Sequence, residues 1–377
     1  MLYILHRSYN PNTAETNRVM AYVKNLSKKG ITTRVVFLLP TAEYTKVNYR
    51  LSHVSFIYLW DKYPSTKVKL LNLIFHWTCL TMFRHSLKKG DDVYIYSQPE
   101  VVYCMAKRKD IHIYEEMTEH PDAIGYRNPL TTISWKKYYK TCKKLSGIFV
   151  ISTELKRLFE SKGVEKNKIH IINMTVDTNR FSNVIKEEQE EPYIAYCGVI
   201  YNSKDGVDDL IKAFSIVSQK HPNYKLYIIG PIPNSTDNDT NKSIISQYGL
   251  SEKIIMTGKV AASEMPQLLV NASICALARP DGLRAKSGFP TKLGEYLLSK
   301  NPVVLTDVGD ISLFLTDKVS ALIVPPNNPT LFAEKLCWAI EHPDKSKNIG
   351  LNGFDVAVEH FNAETETNKI INIIYKK

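Results

Sequence analysis

Short apolar runs alternate with longer amphipathic stretches along the first half of the chain. In residues 16–28, apolar side chains recur three and four positions apart and Gly30 follows, so the pattern predicts a helix that ends near Gly30. Apolar runs on either side of this helix predict short strands. The strands predicted in the first half are residues 2–5, 33–39, 93–96, 111–114 and 148–151.

The second half repeats this alternation. Strands are predicted at residues 193–197, 225–229, 254–257, 273–277, 303–306 and 321–324. Helices are predicted between them, for example at residues 207–219, 291–299 and 330–340. Strands that alternate with helices favour parallel sheets covered by helices on both faces, so the predicted fold class is α/β.

One acidic and polar segment interrupts the alternation. Residues 183–192 (NVIKEEQEEP) end in proline and are the best candidate for a linker. The predicted domains are therefore Rossmann-like units at residues 1–183 and 192–355. Residues 356–377 contain a C-terminal helix, which we expect to cross back to the first domain.

Length and composition agree with two hydrophobic cores. A chain of 377 residues exceeds one typical domain, and its 44% hydrophobic and 23% charged residues do not indicate disorder. The six cysteines form no CxxC pattern, so we interpret them as buried apolar residues in a reducing compartment. The first residues lack the pattern of a signal peptide, and no apolar stretch reaches about 18 residues. We expect a cytoplasmic protein without a membrane-spanning helix.

The formal net charge of +11 leaves three interpretations open. It favours an anionic membrane surface as a partner, and it also fits an anionic small substrate such as a nucleotide diphosphate. A diffusely basic surface with no partner is the third interpretation. The chain has no nucleic-acid recognition motif, so we expect no nucleic acid among its partners.

The sharpest local signal lies in the second half. A polar, glycine-containing loop follows the strand predicted at residues 273–277 and ends at Pro290, which suits the first turn of a helix. A helix N-terminus offers unpaired N–H groups and partial positive charge, so it can bind a diphosphate. Lys292 adds a cation, and Glu295 can accept hydrogen bonds from the two hydroxyls of a ribose. The alternative is a surface pair of Lys292 and Glu295 three residues apart.

The segment 287–295 resembles the signature of glycosyltransferase family 4, in which a Glu-x7-Glu motif forms the donor site. Glu295 aligns with the second glutamate, which holds the ribose in that family. Ser287 stands where the first glutamate contacts the donor sugar. The resemblance implies a retaining enzyme with the GT-B fold, two Rossmann-like domains facing each other across a cleft. The donor-binding residues that it implies are Lys204, Ser287, Gly288, Phe289, Pro290, Thr291, Lys292 and Glu295.

Further matches extend the resemblance over most of the chain. Residues 169–181 resemble the segment that ends the family's first domain, with its pattern NGVD..RF. Gly198 and the residues up to Asp208 resemble the loop that contacts the phosphates. No arginine stands in this loop, and Lys204 comes one place earlier than the usual Lys-Gly pair. The resemblance makes Lys204 a diphosphate contact, and the alternative is a solvent lysine at a helix start.

The resemblance places the acceptor on the first domain. Asn12, Thr13 and Ala14 follow the first strand, where family members often have a Gly-Gly loop close to the diphosphate, and they form the predicted acceptor or diphosphate loop. His120 follows the strand predicted at residues 111–114 and resembles the family's cleft histidine, which lies near the donor sugar. We predict His120 as a catalytic residue. A structural role is the alternative for a single histidine.

We expect no metal and no cofactor. Asp237 and Asp239 form an Asp-x-Asp pair, which in another glycosyltransferase architecture binds a metal and the donor diphosphate. Here the pair lies in a run of Asn, Ser and Thr and is interpreted as a solvated loop. No other cluster of His, Cys or Asp has metal-ligand spacing. Helix N-termini and lysines would then stabilise the departing diphosphate.

Two segments suggest a surface for a lipid-linked acceptor. Residues 67–84 are apolar with basic ends, and residues 135–144 are basic and aromatic. Such segments can lie on an anionic leaflet, here the inner face of the cytoplasmic membrane. The alternatives are a helix that covers a sheet for the first segment and a solvated helix face for the second.

The sequence therefore predicts an enzyme that moves a sugar from a nucleotide-sugar donor to a glycan or lipid-linked acceptor with retention, in the synthesis of cell-envelope polysaccharide. Two alternatives remain open. A nucleotide-sugar epimerase of the same fold would need acid and base carboxylates at the site and no acceptor. A non-catalytic nucleotide-sugar or glycan-binding protein is compatible with Ser287 and with the missing loop arginine.

Overall fold

Thirteen short strands lie in the part of the chain that the computed structural model describes, which is residues 1–11, 13–39, 46–59, 69–123, 133–232 and 236–375. They are β1 (Leu2–His6), β2 (Thr33–Phe37), β3 (Val54–Tyr58), β4 (Asp92–Tyr96), β5 (His112–Met117), β6 (Gly147–Val150), β7 (Ile169–Ile171), β8 (Tyr193–Cys197), β9 (Lys225–Ile229), β10 (Ile254–Gly258), β11 (Ile274–Leu277), β12 (Val303–Thr306) and β13 (Leu322–Val324). All eleven predicted strands are present. The unpredicted β3 is an edge strand, and β7, which only the resemblance implied, lies at the other edge of the same sheet.

Fourteen α-helices lie in the same described residues. They are α1 (Ala14–Lys28), α2 (Lys69–Ser86), α3 (Pro99–Met105), α4 (Trp135–Cys142), α5 (Thr153–Ser161), α6 (Asn202–Asp205), α7 (Val207–Lys220), α8 (Thr236–Gln247), α9 (Met265–Asn271), α10 (Leu283–Ser287), α11 (Lys292–Leu298), α12 (Pro329–Glu341), α13 (Pro343–His360) and α14 (Ala363–Tyr375). Hydrogen bonds to side chains cap the first turn of several of these helices. Ser152, for example, accepts a hydrogen bond from the Leu155 N–H at the beginning of α5.

The chain divides into two compact units. The first contains Met1–Thr175 and Ala363–Lys377, and the second contains Val176–Asn362. The division falls before the acidic segment that we expected to be the linker. That segment is held within the second unit, because the Lys186 ammonium donates to the carbonyl of Ala272 at 2.8 Å and to Asn301 Oδ1 at 2.9 Å. All six cysteines are free thiols; five are buried, as predicted, whereas Cys79 is half-buried.

In the first unit, seven parallel strands follow the order β3-β2-β1-β4-β5-β6-β7. A buried ion pair joins α1 to β5, because Arg18 Nη2 lies 2.6 Å from Glu116 Oε1. Arg18 also donates to the carbonyls of Ile172 and Asn173, and the Tyr94 hydroxyl donates to Glu116. Every charge in this cluster has a partner, as burial requires. Glu116 therefore joins α1 and β4 to β5 in the first unit.

The last helix belongs to the first unit. α14 packs against α1, and its Ile370 and Ile374 join the core of that unit. The buried carboxylate of Glu366 accepts a hydrogen bond from the Asn173 N–H at 2.8 Å. The preceding helix α13 continues beyond residue 355, where we had predicted the end of the second domain, and remains in the second unit.

In the second unit, six parallel strands follow the order β10-β9-β8-β11-β12-β13. The chain runs outward from β8 to β10 and then returns to place β11 on the other side of β8. The loops that follow β8 and β11 therefore leave the sheet in opposite directions. A crevice at such a switch point, at the carboxyl ends of the strands, is where open α/β sheets bind their ligands. The corresponding point of the first unit lies between β1 and β4.

Helix α2 covers its sheet with one face and exposes apolar side chains on the other. Leu80 and Phe83 are buried, whereas Leu71, Ile74, Phe75 and Met82 are 47–67% exposed. Ile74 and Phe75 lie three and four positions after Leu71, and Met82 lies seven positions after Phe75, so the four residues form one stripe on the helix. No helix in the described ranges is both long enough and apolar enough to cross a membrane.

Candidate functional site

The segment predicted to bind a donor forms two short helices. We expected a loop up to Pro290, but residues 283–287 form α10, and Gly288 follows this helix. The next helix, α11, spans Lys292–Leu298, close to the predicted residues 291–299. Its Tyr296 hydroxyl accepts from the Cys197 N–H at 2.6 Å and donates to the Cys197 carbonyl at 3.1 Å. These two hydrogen bonds hold α11 at the carboxyl end of β8.

Lys292 lies at this end of the sheet in a largely buried ion pair. Its ammonium is 2.7 Å from Asp205 Oδ2 and donates to the Tyr196 hydroxyl at 3.0 Å. Burial lowers the pKa of Lys292, and Asp205 opposes that shift. The predicted cation is therefore present at the switch point.

Asp205, which our sequence interpretation did not select, is the carboxylate of this cluster. Burial alone would raise the pKa of Asp205, but Lys292 and Arg279 hold that pKa below its usual value. The Tyr196 hydroxyl donates a further hydrogen bond to Asp205 at 2.9 Å. Asp205 is thus ionised and shared between two cations. Its position in the loop after β8, directly before a glycine, was the only sequence signal.

Arg279 is the second cation and was also missed. It follows β11, is only 2% exposed, and donates from Nε to the Lys204 carbonyl at 3.3 Å. Burial lowers the pKa of Arg279 to about 10, and Asp205 and Tyr196 act against the shift. Two cations and one carboxylate therefore lie together at the ends of β8 and β11. This excess of positive charge can bind an anion.

Glycines allow the backbone to approach closely around this cluster. Gly206 has a φ of +64°, and a Cβ atom there would lie 1.9 Å from the carbonyl oxygen of Ala278. Gly198 directly follows β8 with a φ of +150°, and a Cβ atom there would lie 2.3 Å from Lys292 Nζ. Only glycine permits both backbone conformations without displacing these neighbours.

Glu295 lies one turn beyond Lys292 and has a partner of its own. Arg180 Nη1 donates to Glu295 Oε1, and Arg180 Nη2 donates to the Ala262 carbonyl at 2.8 Å. Burial raises the pKa of the neighbouring Cys197 thiol to about 12, and Glu295 adds to the shift. Glu295 lies three residues after Lys292 on α11, the helix that Tyr296 holds at the carboxyl end of β8.

Two predicted donor contacts have their side chains engaged within the protein. Ser287 is fully buried, and its hydroxyl donates to the Leu283 carbonyl at 2.7 Å. Phe289 packs its ring against those of Phe314 and Phe361, with centroids 5.6 and 5.3 Å apart. Neither side chain projects into open space, so a contact with a donor would involve their backbone atoms.

The remaining predicted residues of the second unit surround the cluster. Pro290 is buried, Gly288 is half-buried, and Thr291 is exposed immediately before α11. The Lys204 side chain is half-buried in α6, and its carbonyl oxygen accepts the hydrogen bond from Arg279. Lys204 therefore lies beside the cluster in the loop that follows β8.

In the first unit, His120 is buried in the loop after β5. Its Nδ1 accepts a hydrogen bond from the Asp122 N–H at 3.1 Å, so the proton of the neutral ring resides on Nε2. Thr13 caps α1 by accepting from the Thr16 N–H at 3.3 Å, and the exposed Ala14 begins that helix. The third member of the predicted loop, Asn12, lies outside the described residues.

The Asp-x-Asp pair is helical, which corrects our interpretation of it as a loop. Asp237 and Asp239 lie in the first turn of α8, where carboxylates interact favourably with the helix dipole. Asp237 Oδ2 accepts a hydrogen bond from the Asn202 N–H at 3.2 Å. Across the described ranges, no three His, Cys, Asp or Glu side chains come together as metal ligands.

Comparison with solved structures establishes the class of fold. The whole chain matches HepE of Anabaena in complex with UDP with a TM-score of 0.74 at 15% identity, covering 100% of both chains. It matches sucrose-phosphate synthase of Thermosynechococcus elongatus with a TM-score of 0.78 at 13% identity, covering 100% of this chain and 98% of that one. The protein therefore has the predicted GT-B fold.

The second unit also matches a known family in its sequence. Residues 177–356, which are nearly all of the second unit, match the family described as glycosyl transferases group 1. This match confirms the predicted resemblance to a group 1 glycosyltransferase. The matched residues include the whole cluster of Lys292, Asp205 and Arg279 and also Glu295.

Two curated relatives share part of this sequence. Mannosylfructose-phosphate synthase of Agrobacterium fabrum is 26% identical over 205 residues, which are 50% of this chain and 43% of that protein. An uncharacterized glycosyltransferase of Methanocaldococcus jannaschii is 24% identical over 164 residues, 43% of this chain and 38% of that one. The chain thus spans about two fifths of the length of these relatives.

Proposed function

We propose that this protein transfers a sugar from a nucleotide-sugar donor to a hydroxyl of a glycan or lipid-linked acceptor, with retention at the anomeric carbon. The observation that carries the proposal is the cluster at the switch point of the second unit. There, Lys292 and Arg279 face a single carboxylate, Asp205, within a segment that matches group 1 glycosyltransferases. The excess positive charge suits the diphosphate of a donor.

The donor's ribose would be held by Glu295. Glu295 lies three residues after Lys292 on α11, which Tyr296 holds at the end of β8, and a carboxylate can accept hydrogen bonds from two vicinal hydroxyls. HepE was solved with UDP and with UDP-glucose, so UDP-glucose is the first donor to test. Backbone atoms of Gly288, Phe289, Pro290 and Thr291 would contribute further contacts to the donor.

The reaction forms a bond between the acceptor oxygen and the anomeric carbon and breaks the bond from that carbon to the diphosphate. The acceptor's proton passes to the departing phosphate oxygen. We propose that Lys292 offsets the negative charge that develops on this oxygen, without a bound metal. His120, with its proton on Nε2, would donate a hydrogen bond to the donor sugar. EDTA should then leave the rate unchanged.

The test begins with binding. Nucleoside diphosphates and nucleotide sugars are screened by thermal shift, and the donors that bind are then incubated with glycan and lipid-linked acceptors. Transfer should give a product whose anomeric configuration, read by NMR, equals that of the donor. Conversion of the donor without an acceptor would indicate an epimerase, and binding without turnover a binding protein. If no nucleotide sugar binds, the proposed function is wrong.

We also propose that the protein works at the inner face of the cytoplasmic membrane, in the synthesis of envelope polysaccharide. The support is the exposed stripe of α2, formed by Leu71, Ile74, Phe75 and Met82, together with the exposed Lys88 and Lys89 that follow it. Apolar side chains beside lysines suit an anionic leaflet. A glycan acceptor would be attached to a lipid in the same leaflet.

Vesicle sedimentation tests this location. The protein should bind vesicles rich in phosphatidylglycerol more strongly than vesicles of phosphatidylcholine. Met82→Asp should weaken that binding several-fold, because it places a charge on the stripe. Val358→Asp, which changes an exposed apolar residue of α13 in the second unit, is the matched control and should have no effect. Equal binding of both vesicle types would contradict the proposal.

A further inference from the structure

The buried guanidinium of Arg279 has one donor without an acceptor. Its Nε donates to the Lys204 carbonyl, whereas Nη1 is buried and has no hydrogen-bond partner among the described residues. Native proteins rarely leave a buried charged donor unsatisfied, because the lost hydration is costly. The position of Arg279 therefore calls for an explanation other than packing.

The surroundings of Arg279 neutralise its charge only in part. The nearby carboxylate of Asp205 is already paired with the Lys292 ammonium at 2.7 Å. Arg279 and Lys292 also repel each other, since the charge of Arg279 contributes to the lowered pKa of Lys292. The backbone carbonyl of Arg279 is held by the Thr306 hydroxyl at 2.7 Å, which ties its main chain between β11 and β12. Burying a second cation at this point therefore destabilises the folded protein.

We propose that Arg279 is a phosphate-binding residue, whose Nη1 donates to an oxygen of the donor's diphosphate at the switch point between β8 and β11. Arginine suits this role, because its charge is permanent and its planar group pairs with phosphate oxygens. The loop from Gly198 to Asp205 contains no arginine, and Arg279 supplies one from the neighbouring strand. The inference rests on the proposed function only in identifying the anion as a donor's diphosphate.

The experiment measures binding to the full chain by calorimetry. The ligands are inorganic pyrophosphate, UDP, GDP and ADP, with uridine, guanosine and adenosine as probes that lack phosphate. One of the nucleoside diphosphates is expected to bind. Arg279→Gln should weaken the binding of that nucleotide and of pyrophosphate by about 10- to 100-fold, the range of a charged hydrogen bond. Binding of the nucleosides should change less than about twofold. Arg279→Lys should recover part of the loss.

Two comparisons separate binding from folding. Lys186→Gln removes another cation of the second unit, one that bonds to Ala272 before the start of β11, and should leave pyrophosphate binding unchanged. Without ligand, Arg279→Gln should melt no lower than the wild type, because it removes a buried charge with an unmet donor. If Arg279→Gln does not fold, Arg279→Lys keeps the charge and should still bind pyrophosphate several-fold more weakly.

The outcomes distinguish the two proposals. Unchanged pyrophosphate affinity in Arg279→Gln or in a folded Arg279→Lys overturns the role of Arg279, even where a nucleotide sugar is used. A wild type that binds pyrophosphate through Arg279 but uses no nucleotide sugar supports Arg279 and contradicts the proposed function. A wild type that binds neither pyrophosphate nor any nucleoside diphosphate overturns both.

Discussion

Arg180 and Glu295 form an ion pair within the second unit, although 115 positions separate them in the sequence. The pair is partly exposed, with 31% of the Arg180 side chain and 20% of the Glu295 side chain accessible. Arg180 occupies one carboxylate oxygen of Glu295 and also donates to the Ala262 carbonyl. A ribose that binds to Glu295 would therefore meet a carboxylate whose orientation is already set.

This pair leads to the first prediction. Glu295→Gln should weaken the binding of the nucleoside diphosphate by about 10- to 100-fold, because hydrogen bonds to a charged carboxylate are lost. Arg180→Gln breaks the same ion pair but retains the carboxylate, so it should change the affinity less than about threefold. Calorimetry with the nucleotide and its 2′,3′-dideoxy analogue checks the assignment. Equal losses for both ligands would mean that Glu295 does not contact the ribose.

The second prediction concerns the ion pair of Lys292 and Asp205. Asp205→Asn should cost about 3 kcal/mol of unfolding free energy, because it leaves two buried cations without a carboxylate. Lys292→Met should cost less, since Arg279 still balances Asp205. Urea unfolding measures both. Asp317→Asn is the matched control, because its ion pair with Lys335 is also 2.7 Å long but is more exposed and should contribute at most about 1 kcal/mol. Equal losses of unfolding free energy in Asp205→Asn and Asp317→Asn would show that burial adds nothing to the contribution of the Lys292–Asp205 pair.

Much of the fold could be predicted because buried parallel strands appear as uninterrupted apolar runs. Strands such as β8 and β12 are buried at every position, and the sequence pattern marks them clearly. Strand β3 lies at a sheet edge and is only half-buried, so its pattern was too weak to recognise. The Asp-x-Asp helix was missed because Asn, Ser and Thr have low helix propensity, although its acidic first turn favours a helix start.

The site was only partly predictable, because its cluster depends on contacts between distant residues. Lys292 could be selected from its place at a helix start. Its partner Asp205 lies 87 positions away, and Arg279 becomes notable only once its burial is known. In the same way, local sequence cannot show that the ring of Phe289 packs into the core. Residue types near a glycine-containing loop indicated the chemistry of the site. Tertiary packing determines which side chains lie at that site.

The third prediction compares two glycines with the same backbone conformation. Gly206 and Gly249 have φ values of +64° and +63°, so alanine suffers similar backbone strain at both, about 1 kcal/mol. At Gly206 a Cβ atom would also collide with the Ala278 carbonyl, whereas at Gly249 no described atom lies within 4 Å. Gly206→Ala should therefore be less stable than Gly249→Ala by about 3 kcal/mol in urea unfolding. Similar stabilities would show that α6 can move away from Ala278 without cost.

The fourth prediction follows from His6, a buried histidine at the end of β1. Its Nε2 lies 3.2 Å from the Thr16 hydroxyl, and its ring packs edge-on against Phe37 and Tyr96. Burial lowers the pKa of His6 to about 4. Between about pH 6.5 and pH 4 the unfolded chain binds a proton at His6 that the folded chain does not, so the unfolding free energy falls as the pH falls. Between pH 7 and pH 5 this loss amounts to about 2 kcal/mol.

Urea unfolding at the two pH values should show His6→Gln with a correspondingly smaller difference, and His85→Gln, which changes an exposed ring, with the wild-type difference. A pH dependence that survives in His6→Gln would assign the effect to other groups.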